Sequence, residues 1–97
     1  MKPLKKIEII AGAIESKKVE KILKEHQITD YSVITGVRGR GGRGDRDGDG
    51  LTDAFQNRML IVACPEEDFE KFKEPLRNFL KKAGGICLVS DVMWLNH

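Results

Sequence analysis

The chain has 97 residues, and 17 Lys and Arg against 15 Asp and Glu leave a formal net charge of +2. This length fits one small domain, and the balanced charge excludes a histone-like or polybasic protein. No apolar run approaches the roughly 20 residues needed to cross a membrane, and the N-terminus lacks a signal peptide's continuous apolar stretch. We therefore expect a cytoplasmic protein with no direct membrane insertion.

The first half of the chain predicts strand, helix and strand. A β-branched run at 6–11 predicts the first strand. Apolar residues at helical spacing follow it, and Ser16 is the expected N-cap because its hydroxyl can accept from first-turn amides. Residues 30–37 predict the second strand, and the long Gly-rich loop at 38–56 comes next.

The second half predicts strand, helix and strand again. Residues 58–64 predict a buried strand, and Pro65 with three following acids predicts a helix start. Pro75 is expected to kink or restart that helix, and Gly84 to cap it. A last strand is predicted at 85–94.

The order βαββαβ predicts an α+β, ferredoxin-like fold over a single domain, 1–97. Both helices lie on one face of a four-stranded antiparallel sheet, and the third and fourth strands flank the first. Cys64 and Cys87 then lie two strands apart, too far for a disulfide. Because this fold carries many functions, function has to be sought in the loop.

The loop is the unusual part of the composition. Seven of the ten glycines fall within the fifteen residues 36–50, together with four Arg and three Asp. Three chemistries compete for it: nucleic acid, calcium and phosphate.

An RGG-like run at 38–44 is the nucleic-acid feature, since Arg can contact phosphate and stack on bases. The strand at 58–64 lacks the aromatics on which RNA-binding sheets stack bases. We therefore keep an RGG-type RNA-binding module as an alternative and expect no nucleic-acid partner.

Alternating aspartates are the calcium feature. The segment 45–53 matches the start of an EF-hand loop, with oxygen ligands at its first, third, fifth and ninth positions and Gly50 at the sixth. Gln56 stands where a bidentate carboxylate is wanted. A Ca²⁺ site is a second alternative, and its candidate ligands are Asp45, Asp47, Asp49 and Asp53.

Glycine and arginine at the loop entrance are the phosphate feature. Gly39 and Gly41 let the backbone approach an anion, and nearby Arg side chains supply forked donors for phosphate oxygens. A Gly-x-Gly pattern alone is weak evidence for phosphate binding. Its location in a long loop between the second and third strands makes the evidence stronger.

These residues together resemble a known family. The run Thr35-Gly36-Val37-Arg38-Gly39-Arg40-Gly41 before a long loop, and Gly84-Gly85-Ile86 before the last strand, resemble PII-type signalling proteins. The resemblance spans essentially the whole chain and is closest to the PII-like branch associated with carboxysomes and bicarbonate uptake. Members of the family are trimers that bind nucleotide between subunits and signal through a loop called the T-loop. The resemblance implies that residues 38–56 of this chain form a mobile T-loop.

The resemblance implies a set of site residues. The nucleotide-binding residues are Gly39, Gly41, Arg43, Arg46, Gly84, Gly85 and Ile86. Arg38 and Arg40 are candidates for anion or bicarbonate binding. No Lys follows Gly85 closely, and no Arg-bearing tail follows Trp94, so the resemblance implies ADP or AMP more readily than ATP.

The expected function follows from that resemblance. It implies a homotrimeric sensor that regulates inorganic-carbon uptake or carboxysome function, through a partner such as a bicarbonate transporter or a carboxysome component. We expect no enzyme activity, because no nucleophile–base pair is recognisable in the sequence.

Overall fold

The computed structural model describes residues 1–41, 44–45 and 56–97, and at 40, 41, 44 and 45 only the backbone. The elements are β1 (Lys2–Gly12), α1 (Ala13–Glu25), β2 (Ser32–Val37), β3 (Arg40–Gly41), β4 (Gly44–Asp45), β5 (Asn57–Cys64), α2 (Glu66–Ala83) and β6 (Ile86–Trp94). The predicted βαββαβ order is confirmed. The short antiparallel pair β3–β4 inside the loop was not predicted.

The sheet has the strand order β2-β5-β1-β6, with all neighbours antiparallel. The third and fourth long strands, β5 and β6, flank β1 as expected. β2 and β6 are therefore the two edges of the sheet. Since β1 runs from Lys2, it is four residues longer at its start than the apolar pattern indicated.

Helix α1 begins earlier than the sequence suggested, and the expectation that Ser16 caps it is wrong. The N-cap is Gly12, without a side-chain cap bond, and the Ala13 N–H donates to the Gln56 carbonyl at 2.7 Å. Ser16 lies inside the helix, fully buried, and its hydroxyl donates to the Ala13 carbonyl at 2.9 Å. Ala13 and Glu15 are good helix formers, and the helix begins one turn before the position at which Ser16 could have capped it.

Helix α2 begins after Pro65 with three acids in its first turn, as predicted, and runs unbroken for 18 residues through Pro75. A restart at Pro75 is therefore wrong. Gly84 caps the helix with φ 79°, and its N–H donates to the Leu80 carbonyl at 2.8 Å.

The core lies between the helices and one face of the sheet. Directly paired residues point to the same face, and Ile7, Ile9, Leu60 and Val62 face the helices with no exposed surface. The helices contribute the remaining large core side chains, which are Val19, Leu23, Phe69, Phe72 and Leu76.

The opposite face of the sheet carries no helix. We call it the bare face, and it is formed by Leu4, Lys6, Glu8, Ile10, Ser32, Ile34, Met59, Ile61, Ala63, Ile86, Leu88, Ser90 and Val92, which share register rows. Apolar residues dominate it, and Lys6 and Glu8 form its one ion pair within the described ranges, at 3.9 Å.

Both cysteines are free, as expected. Cys64 lies opposite Lys5 on β1, whereas Cys87 lies opposite Ile9 on the other side of the same strand. They are thus separated by two strand spacings and by four residues along the strands.

Candidate functional site

One end of the sheet gathers the segments that the sequence singled out. β2 ends at Val37, β5 begins at Asn57 opposite Gly12, and β6 begins at Ile86 opposite Ile10. The loop 38–56 and the Gly84–Gly85 turn therefore leave the sheet at the same end. Topology alone produces this, because each antiparallel neighbour reverses direction.

The two glycine segments are nevertheless at opposite edges of that end. β2 and β6 are separated by β5 and β1, which amounts to three spacings, or roughly 14 Å. Within the residues that the structure describes, the loop entrance and the Gly84–Gly85 turn of one chain are too far apart to contact the same small ligand.

Gly36 redirects the chain at the loop entrance. Its φ is 72°, and the register with β5 shifts between Thr35 and Val37. A positive φ at an irregularity of this kind suits glycine and adds local twist. The bulge thereby turns the chain out of the sheet just before Arg38 and Gly39.

Residues 38–45 are only partly described. A Cβ placed at Gly39 would meet no atom within 4 Å, so this backbone is accessible to a ligand. Arg38 is exposed and has an interaction partner. Arg40 and Gly41 form β3, and Asp45 belongs to β4.

Several predicted ligands lie outside the described residues. These are the phosphate candidates Arg43 and Arg46 and the calcium candidates Asp47, Asp49 and Asp53. Within the described residues, no group of three or more His, Cys, Asp or Glu could hold a metal ion.

The Gly84–Gly85 turn is closely packed. Gly85 has φ 127°, and a Cβ there would come within 2.9 Å of the Ile10 carbonyl oxygen and 3.2 Å of Leu80 Cδ2. The fold therefore requires glycine at this position whatever the turn binds. The turn brings the end of α2 directly against β1, and Ile86, 48% exposed, starts β6 beside it.

A groove lies between α2 and the free edge of β6, on the helix side of the sheet. Its volume is about 530 Å³, and it ends at Gly85. The lining residues are Phe69, Lys73, Leu76, Arg77, Leu80, Lys81, Gly85, Cys87 and Val89. The floor is apolar, and the cations stand along the helix.

Sequence reasoning missed the groove because it depends on how α2 sits over a distant strand. The available signal was the spacing of Lys73, Arg77 and Lys81, which at intervals of four residues share one face of a helix. That face borders an apolar stripe, so the three cations line the groove instead of pointing straight out to solvent.

Burial raises the pKa of the Cys87 thiol on the groove floor above its ordinary value. The pKa of Cys64 is also raised, first by burial and then by the negative charge of Asp68. Both groups stay protonated thiols near neutral pH, which opposes their use as nucleophiles or metal ligands.

The opposite end of the sheet has a different character. A shallow depression of about 700 Å³ lies there, lined in part by Leu4, Tyr31, Ile61 and Trp94. Lys5 is paired with Asp91 and, at 3.9 Å, with Glu66, and the hydrogen bond to Asp91 raises the pKa of Lys5. Lys5 thus neutralises part of the acidic charge of Asp91 and Glu66 at this end.

Comparison with known proteins assigns the chain to a family. A family model described as nitrogen regulatory protein P-II matches residues 4–96. The chain belongs to the P-II family. The resemblance to the PII family is thus confirmed, while the carboxysome-associated branch stays a prediction. P-II proteins are regulators.

Solved structures of P-II relatives share the fold across most of their length. CPII, a nitrogen regulatory PII-like protein from Thiomonas intermedia K12 bound to ADP, AMP and bicarbonate, is 26% identical with a TM-score of 0.83 over 93% of this chain and 86% of that one. CPII bound to ADP and bicarbonate is 29% identical, with a TM-score of 0.80 and the same coverage of 93% and 86%.

A PII-like signalling protein from Thermus thermophilus is 25% identical, with a TM-score of 0.74 over 94% of this chain and 88% of that one. The search of curated proteins found no match. Neither helix that the structure describes is long and apolar enough to span a membrane.

Proposed function

We propose that this P-II protein is a cytoplasmic signal-transduction protein that binds ADP or AMP, with bicarbonate as a second ligand near the loop base. The observation that carries the proposal is the likeness, at 26–29% identity over 93% of the chain, to CPII structures bound to ADP, AMP and bicarbonate. The residues proposed to bind the nucleotide are Gly39, Gly41, Arg43, Arg46, Gly84, Gly85 and Ile86. Arg38 and Arg40 are proposed to bind the bicarbonate.

The binding site is proposed to lie between copies of the chain in a homotrimer. Two observations support this arrangement. The loop entrance and the Gly84–Gly85 turn are roughly 14 Å apart in one chain, and the bare face leaves Ile34, Ile86 and Leu88 at 44%, 48% and 57% exposed. Packing three bare faces together buries this surface and sets the β2 edge of one copy beside the β6 edge of the next.

The loop 38–56 is proposed to act as the T-loop, which reports the bound ligand to a protein partner. A partner in inorganic-carbon uptake, such as a bicarbonate transporter or a carboxysome component, fits a sensor that binds an adenine nucleotide together with bicarbonate. The nucleotide reports the energy state of the cell, and bicarbonate is the transported substrate.

The two alternatives have less support. The calcium ligands lie outside the described residues except for the Asp45 backbone, and the ligands named for the solved relatives above are nucleotides and bicarbonate. For RNA, the central strands β1 and β5 present no aromatic side chain on the bare face, so bases have no platform for stacking.

Isothermal titration calorimetry with AMP, ADP and ATP, each with and without bicarbonate, tests the proposal. We expect ADP and AMP to bind, and the double variant Arg43→Ala, Arg46→Ala to weaken binding by about tenfold or more, because two charge-assisted contacts are lost. Lys17→Ala with Lys18→Ala removes two exposed cations from α1 and should change little.

Absence of binding by the unmodified chain would overturn the proposed function. Unchanged affinity in the arginine variant would instead remove those two residues from the site. Mass measurement of the unmodified chain gives the third result, since a monomer that binds nucleotide would contradict a site shared between copies.

A further inference from the structure

The groove between α2 and β6 has no part in the proposed function, apart from Gly85 at its end. It opens along the free edge of β6, where Val89 is 46% exposed. If the β2 edge of another copy approaches β6, the groove becomes one wall of the cleft between them. The inference therefore rests on the proposed function.

The cations of the groove become less neutralised toward Gly85. Lys73 pairs with Glu70 at 3.0 Å and lies 5.9 Å from the centre of the Phe69 ring. Arg77 lies 3.4 Å from Glu74, and both side chains are about 60% exposed (62% and 58%), so solvent weakens this pair.

Lys81 is the last of the three cations. It makes no ion pair with any residue in the part of the chain that the structure describes. It is one helical turn before Gly85, at the end of the groove that meets the candidate nucleotide cleft. Arg77 and Lys81, two cations without strong partners, thus lie on α2 within about two helical turns before Gly85.

The neighbouring backbone lacks a cation of its own. Gly84, Gly85 and Ile86 carry no charge, although a phosphate chain placed against this turn would bring negative charge close to it. The helix C-terminus adds partial negative charge at the same place. An anion held at this turn consequently needs cations from elsewhere.

We propose that Arg77 and Lys81 bind the phosphate groups of the nucleotide from the α2 side of the cleft. The two side chains stand one turn apart, so they can contact successive phosphates. Leu80, Cys87 and Val89 form an apolar floor beside these two cations. A nucleoside diphosphate engages both cations, whereas a monophosphate engages one.

The test compares ligands that differ only in phosphate. Calorimetry with ADP, AMP, adenosine and inorganic pyrophosphate is carried out on the full chain and on Arg77→Gln, Lys81→Gln. We expect the affinity for ADP to fall by about tenfold or more, the affinity for AMP to fall less, and the affinity for adenosine to stay the same. The conservative pair Arg77→Lys, Lys81→Arg should retain most of the affinity.

Lys71→Gln with Lys82→Gln is the matched control. It removes two charges from exposed positions of the same helix that do not line the groove. If this control lowers the affinity for ADP as much as the groove variant does, the effect comes from the overall charge and the proposal is wrong. Circular dichroism confirms that each variant is folded.

The remaining outcomes separate the two proposals. Tight ADP binding that the groove variant leaves unchanged overturns the role of Arg77 and Lys81 and leaves the proposed function intact. A full chain that binds no ADP overturns both. Loss of pyrophosphate affinity with unchanged ADP affinity identifies a general anion site and also overturns this assignment.

Discussion

The sheet has two apolar faces, and the helices cover only one of them. On the covered face Ile7, Ile9 and Leu60 have no exposed surface, while on the bare face Ile86 and Leu88 are 48% and 57% exposed. Successive side chains of a strand point to opposite faces of the sheet, so Ile9 lies on the covered face and its neighbour Ile10 lies on the bare face. An exposed apolar surface of this kind marks an interaction site, which supports the proposed assembly of several copies of the chain.

The largest expected difference between the faces is in stability. Ile9→Ala should lower the free energy of unfolding by about 2–5 kcal/mol, because it leaves a cavity in a fully buried site. Ile10→Ala removes the same atoms from a half-buried position on the bare face. In the dissociated chain it should lower the free energy of unfolding clearly less than Ile9→Ala does. Urea unfolding at low protein concentration measures both.

At high protein concentration the losses of unfolding free energy in the two variants should become more similar, because the proposed assembly would bury Ile10. If the two variants lose the same unfolding free energy at low protein concentration, the distinction between the covered face and the bare face is wrong. A cost for Ile10→Ala that does not depend on concentration would mean that no other chain covers the bare face.

The next expected effect is on assembly. Leu88 pairs with Glu8 across β1 and β6, so Leu88→Glu places two carboxylates side by side on the bare face. Burying them in an interface costs several kcal/mol, and we expect the dissociation constant of the oligomer to rise by about a hundredfold or more. Analytical ultracentrifugation measures this change.

Asn78→Glu is the control, since it adds the same charge at an exposed position of α2. We expect it to leave the oligomer intact. If Leu88→Glu assembles as well as the control does, the bare face is not the interface.

The smallest effect concerns a polar contact on the covered side. The Tyr31 hydroxyl donates to Glu20 Oε1 at 2.6 Å and joins the start of β2 to α1. This hydrogen bond to the carboxylate, followed by desolvation, raises the pKa of Tyr31 above its ordinary value. The contact therefore stabilises the fold fully below the ordinary tyrosine pKa, and the stabilisation is lost as pH rises through the raised value.

Glu20→Gln should bring the pKa of Tyr31 down toward 10.0. Since the chain contains one tyrosine, absorbance titration follows this phenol alone. A titration that Glu20→Gln does not shift would show that the contact does not hold α1 to β2 in solution.

Local patterns in the sequence predict most of the fold. Alternation and helical spacing indicated every long element, and the βαββαβ order of these elements predicted the position of β1 between β5 and β6. The errors are at boundaries and in the loop: Ser16 is buried inside α1 instead of capping it, and β3–β4 arises where glycine and arginine show no alternating pattern.

The candidate site was less predictable. Spacing along the chain identified Gly39 and Gly85, and their position at opposite edges of the sheet follows from the strand order that the βαββαβ arrangement predicts. Arg77 and Lys81 look like ordinary solvent-exposed helix residues in the sequence. They line the groove that ends at Gly85 only because α2 lies beside the edge of β6. This contact joins two distant segments, so neither segment's sequence indicates it.

Gly85 also limits what a sequence signature can say about the history of such proteins. A side chain there would collide with the Ile10 carbonyl, so selection for folding alone keeps the glycine. A descendant that had lost its ligand would still carry it. The glycine pair before the last strand is thus a mark of common architecture, whereas Gly39, which has open space around it, and Lys81 are free to change when the ligand does.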